Sequence, residues 1–157
     1  MSIPFQLLVT EGFLNEMLNH AIEELPYECC GVLGGRFETR ESEKIGVVST
    51  VYKLENSLKS EIEFLSSAES MLHVVKELRQ KGEEMLVVYH SHPVSFPKMS
   101  KKDLDMIDGT NLLHLIFLAI SFLIIQGNTQ NAIVTTGALV KWGRFGSVGR
   151  LCRLFNS

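Results

Sequence analysis

An apolar run rich in β-branched residues, Met85-Leu86-Val87-Val88, leads without a break into Tyr89-His90-Ser91-His92-Pro93. The run reads as a buried strand. Residues i and i+2 of an extended segment lie on the same side of it. His90 and His92 therefore converge as the strand leaves the core, and Ser91 between them points the other way. Pro93 stops regular pairing, because it has no N–H to give, and residues 94–99 turn the chain back. Ser100 then opens a helix, with Asp103 in its first turn. Two ring nitrogens and one carboxylate oxygen from two elements match the ligand count of a catalytic zinc whose fourth position is open to water.

Each part has an ordinary structural use. A His-x-His pair often ends a strand, and Ser100-x-x-Asp103 is also a helix capping box. The full order H-x-H-P-x6-S-x-x-D makes the pattern specific. Glu28 is the further polar residue of interest. It stands between a helix end and a buried strand, where by itself it would read as a solvated turn carboxylate like Glu23 and Glu24.

At 157 residues the chain fits one domain, large enough to bury a core without disulfides. Residues 1–145 are read as that domain and 146–157 as a C-terminal tail. The net charge of −3 favours neither nucleic acid nor a membrane surface as partner. Three cysteines, two of them adjacent at Cys29 and Cys30, do not make a disulfide framework. A reducing compartment fits them better. The N-terminus lacks the basic flank and cleavage site of a signal peptide. The most apolar run, 112–125, is shorter than the roughly 20 residues needed to cross a bilayer and is interrupted by His114 and Ser121. It is read as core strand, with His114 as a core or edge histidine. The expected compartment is the cytoplasm.

In chain order, 5–9 is expected to form a short strand. A helix follows from Glu11, with Phe13, Leu14, Met17, Leu18, Ala21, Ile22 and Leu25 on one face, and Pro26 ends it. A strand over 27–36 contains glycines that point to close backbone approach or a bulge. A second strand covers 44–54. A turn at 55–57 and a short edge strand at 61–65 come next. Ser66 with Glu69 is read as a capping box for a helix reaching about Lys81, whose buried stripe is Leu72, Val75 and Leu78. Met71 and Val74 flank that stripe, and His73 is exposed. Gly82 is the C-terminal cap. After the motif, further strands are expected at 112–125, 132–136 and 139–142, with a turn at 126–131 between the first of them and the second, and antiparallel hairpin geometry for the last segments.

The order Glu28, then His90-x-His92-Pro93, then Ser100-x-x-Asp103 resembles the JAMM (MPN-plus) metalloprotease family. Pro26-x-Glu28-x-Cys30-Gly31 is similar to the segment that carries this family's catalytic glutamate. The short loop between Pro93 and Ser100 is similar to that of compact bacterial and archaeal members. All five polar positions are present, unlike the family's inactive scaffold branch. The resemblance implies an α/β fold in which a curved, mixed β-sheet packs between helices, in a layout like that of the cytidine deaminases. A deaminase itself is excluded, since no H-x-E is paired with P-C-x-x-C. The zincins are excluded by the lack of H-E-x-x-H.

By this resemblance His90, His92 and Asp103 hold Zn²⁺. The ion lowers the pKa of a bound water to about 7, which supplies a nucleophile at neutral pH. Glu28 would accept the water's proton and deliver it to the leaving amine. Ser100 would donate a hydrogen bond to the oxyanion. The resemblance implies a metallopeptidase or isopeptidase acting at the C-terminal tail of a ubiquitin-like protein. The lean chain resembles small prokaryotic members that process ubiquitin-fold sulfur carriers better than it does the deubiquitinating members with their added insertions. Two other readings remain at this stage: a catalytically silent metal-binding interaction module, and a hydrolase of small amide conjugates. A zinc–thiolate site using Cys29 or Cys30 is a further alternative, against a buried structural role.

Overall fold

The computed structural model describes residues 6–94, 101 and 113–117, the last five as backbone. Strand β1 (Gln6–Leu8) precedes helix α1 (Glu11–Glu23). Strands β2 (Cys30–Arg40) and β3 (Glu43–Leu54) form a hairpin, followed by helix α2 (Ala68–Lys81). Strand β4 (Glu84–Ser91) carries the first histidine, and β5 (Leu113–Phe117) closes the described part. The five strands form one sheet in the order β1-β3-β2-β4-β5. β1 runs parallel to β3 and β4 parallel to β5, whereas β2 is antiparallel to both of its neighbours. The sheet is therefore mixed, as expected.

Alternation along β2 builds a core on each face. Cys29 and Leu33 pack with Met17 and Ala21 of α1 on one face. Cys30 and Val32 pack with Val74 and Leu78 of α2 on the other. The glycines of β2 meet both expectations placed on them. The ladder to β3 shifts register between Gly34 and Gly35, and the ladder to β4 shifts between Leu33 and Gly34. A Cβ at Gly31 would lie 2.2 Å from Cζ of Tyr89, so this position is empty to let the Tyr89 ring lie against the strand.

The helices start and stop for local reasons. Thr10 caps α1, its Oγ1 accepting from the N–H of Phe13. The chain leaves α1 through Glu24 and a cis Leu25–Pro26 bond. Gly82 closes α2 in the left-handed region, φ 62°, where the absence of a Cβ removes the steric penalty.

Three expectations are corrected. The N-cap of α2 is Ser67, not Ser66: the Ser67 hydroxyl accepts from the N–H of Ser70, while Ser66 forms a lone bridge with Asn56. The same bridge stands where an edge strand at 61–65 was expected, and residues 61–65 make no ladder. The buried residues of α2 are Val74 and Leu78, with Met71 partly buried against the same cluster, and Leu72 is 54% exposed. Both triplets obey helical spacing, and the face offered by the sheet decides between them. His73 is exposed as expected and pairs with Glu77 one turn on. Strand β2 also runs four residues beyond its expected end. Its turn, Glu41-Ser42, has positive φ at both residues without the Asn or Gly that usually marks such a hairpin. The strands expected at 132–136 and 139–142, the turn before them and the tail lie outside the described residues, as does the part of 112–125 beyond β5.

Candidate metal centre

Antiparallel pairing of β2 with β4 sets Cys30 opposite His90. Alternation then puts Glu28, two residues before Cys30, on the same side of the sheet as His90 and His92. All three are buried, Glu28 at 3%, His90 at 0% and His92 at 5% exposure. Nε2 of His90 lies 3.1 Å from Nε2 of His92, and Nε2 of His92 lies 3.8 Å from a carboxylate oxygen of Glu28. One donor atom from each of the three can be chosen so that all lie within 4.8 Å of one another. Residues far apart in sequence thus meet at one point. Among the described residues this is the group able to hold a metal ion.

Packing holds the His90 ring. Phe64 lies against His90, ring centroids 4.7 Å apart and planes inclined by 31°. Ser91 points to the opposite face, as alternation required, and its hydroxyl accepts from the N–H of Cys29 at 3.0 Å. The N–H of Ser91 donates to the carbonyl of Cys29. The pairing of β2 and β4 therefore continues through the residue next to Glu28. On that opposite face Tyr89 is fully buried, and its hydroxyl lies 2.9 Å from Nδ1 of His20. Burial first, and then the charge of Lys53, lower the pKa of His20 to about 4, with Glu23 opposing. His20 is thus a neutral ring at neutral pH.

Cys29 and Cys30 are both buried free thiols on opposite faces of the sheet, so they cannot serve one ion together. Burial is the largest cause raising each thiol to about 12. This is the packing role weighed from sequence against a thiolate site. Ser100 and Asp103 lie outside the described residues, although Lys101 between them is helical. His114 falls on β5, in register with Val88.

Sequence reasoning missed His20, Asn56 and Phe64. His20 lies three residues after Met17 on the apolar face of α1, a spacing that could have revealed it. Asn56 was read only as part of a turn, and nothing local marks it or Phe64.

Residues 10–135 match the family model of the prokaryotic homologs of the JAB domain, most of the chain. The chain belongs to the JAB family. The JAB relatives it resembles include a probable TtuB-protein conjugate cleaving protease from Thermus thermophilus, 31% identical over 98 residues. A desampylase from Pyrococcus furiosus is 31% identical over 99 residues. The matches cover 62% and 63% of this chain and span 61% and 64% of those relatives. Among solved structures, protein DSY2949 from Desulfitobacterium hafniense superposes with a TM-score of 0.64 at 33% identity, covering 73% of this chain and 76% of that one.

Proposed function

We propose that this JAB protein is a zinc-dependent isopeptidase that hydrolyses amide bonds at the C-terminal tail of a ubiquitin-like protein of the sulfur-carrier kind. The observation that carries the proposal is the buried Glu28 carboxylate beside two imidazoles whose Nε2 atoms face each other at 3.1 Å. Two imidazole nitrogens bound at about 2.0–2.1 Å to one tetrahedral zinc would lie roughly 3.3 Å apart, so the spacing fits a shared ion. His90, His92 and Asp103 would hold it. Bound zinc supplies a Lewis acid and a water acidic enough to attack at neutral pH.

The chain's own groups do the rest. Glu28 removes the proton of the attacking water and returns it to the leaving amine, a transfer within reach of a carboxylate placed this close to the ligand rings. Ser100 donates to the developing oxyanion. The substrate tail adds in extended form beside the site, where main-chain hydrogen bonds give affinity. The names of the two similar proteins, a TtuB-conjugate cleaving protease and a desampylase, support a ubiquitin-like partner. The buried free thiols are in keeping with the cytoplasm as the proposed compartment.

The test is cleavage of a ubiquitin-like protein fused through its C-terminus to a reporter, compared with cleavage of short amide peptides. Wild type should cleave the fusion and leave the peptides. Glu28→Gln should keep fold and metal while its rate falls by about 10²–10⁴. Absence of cleavage of both fusion and peptides by metal-loaded wild type would point instead to a binding module, and equal cleavage by wild type and Glu28→Gln would remove Glu28 from the chemistry. Preference for the peptides would favour a hydrolase of small conjugates.

A further inference from the structure

Glu28 precedes the first residue of β2, so the sheet ladder does not hold it directly. Its main chain is held by the segment between β3 and α2. The N–H of Glu28 donates to the carbonyl of Ser60 at 2.9 Å, and its carbonyl accepts from Nδ2 of Asn56 at 2.9 Å. That segment closes on itself at its neck, where Ser57 donates to Leu65 and Ser67 to Glu55.

Asn56 is 4% exposed and ties the segment together from inside. Besides Glu28, Nδ2 donates to the carbonyl of Glu63 at 3.2 Å. Oδ1 accepts from the N–H of Leu58 at 3.2 Å and of Leu65 at 3.1 Å. Two donors and two acceptor sites are the whole capacity of a carboxamide, and all four are used. A buried polar network satisfied in this way is rigid. One side chain therefore joins the backbone of Glu28 to the residue preceding Phe64, whose ring lies on His90.

We infer that Asn56 is a positioning residue that fixes Glu28 relative to the imidazole pair. It touches neither substrate nor ion, and acts by holding the main chain of the proton-transfer group and of the ring-packing loop. The inference rests on the proposed role of Glu28. A displacement of about 1 Å of a catalytic group can cost about 10²-fold in rate.

Asn56→Asp is the informative variant. It keeps the oxygen that accepts from Leu58 and Leu65, so the loop can still turn. It replaces the donating NH₂ with an oxygen facing the carbonyls of Glu28 and Glu63. Two readouts are taken on the full chain: kcat and KM on the ubiquitin-like fusion, and amide hydrogen exchange of Glu28 with and without metal. The expected result is a fall in kcat of about 10- to 100-fold with KM within about threefold of wild type. Zinc content should be unchanged, and the Glu28 amide should exchange at least about tenfold faster while α1 exchanges as before. The inference is overturned if kcat and the Glu28 amide are unchanged. It is also overturned if kcat falls only in proportion to lost zinc or lost folded protein. Should wild type fail to cleave the fusion, the proposed function falls and the catalytic role of Asn56 with it. Exchange at Glu28 then still decides whether Asn56 tethers that residue.

Discussion

His20 and Glu28 show how the same burial has opposite meanings for two titratable side chains. Glu28 is a carboxylate packed beside two imidazoles, a setting that makes sense around a cation. His20 faces Tyr89 on the other side of the sheet, where burial holds its pKa down at about 4. The unfolded chain takes up this proton as pH falls through about 6.5, while the folded ring refuses it until about 4. Stability is therefore intact above the unfolded value and is lost between these limits, by up to about 3 kcal/mol. Urea denaturation of the metal-free wild type and His20→Gln checks the sign. The advantage of wild type should shrink by about 2–3 kcal/mol between pH 7 and pH 4.5. A constant difference would mean that the ring is already free to protonate in the fold. Period-two alternation made the facing of His90 and His92 legible, because it needs no knowledge of the partner strand. The spacing of His20 after Met17 could have revealed its burial, but its hydrogen-bond partner Tyr89, 69 positions away, could not be read locally.

At the scale of elements, caps and faces were legible to within one residue and one helical rotation. Gly82 and the end of α1 before Pro26 follow from local rules. Ser66-Ser67 presented two adjacent hydroxyls ahead of one helix, and sequence alone could not choose. The bridge of Ser66 to Asn56 keeps that residue extended and leaves the cap to Ser67. Ser67→Ala should therefore cost about 1 kcal/mol in thermal or urea unfolding, and Ser66→Ala much less. The reverse order would restore the capping box first read from sequence. The choice between Leu72 and Val74 on α2 has the same origin, since two stripes of equal spacing compete until a sheet face is presented. The strand at 61–65 was misread because its apolar residues looked like half of a pair. Asn56 instead satisfies the main chain there, and Ile62 and Leu65 remain 67% and 53% exposed.

Across the whole molecule, periodicity placed the individual strands and helices, whereas the mixed sheet packed between helices was expected only from the resemblance to the JAMM family. Glu28 gained meaning only from the order of residues around it, since nothing in its neighbours announces that β2 will pair with β4. That pairing is the long-range fact that joins residue 28 to residues 90 and 92. The central claim is that these side chains frame one ion together with a ligand from the helix that follows. Zinc content per chain, measured by elemental analysis of the purified wild type, Glu28→Gln and His92→Ala, tests it most directly. One ion per chain in the first two, and less than about a tenth in the third, is the expected result. Stoichiometric zinc in His92→Ala would contradict it.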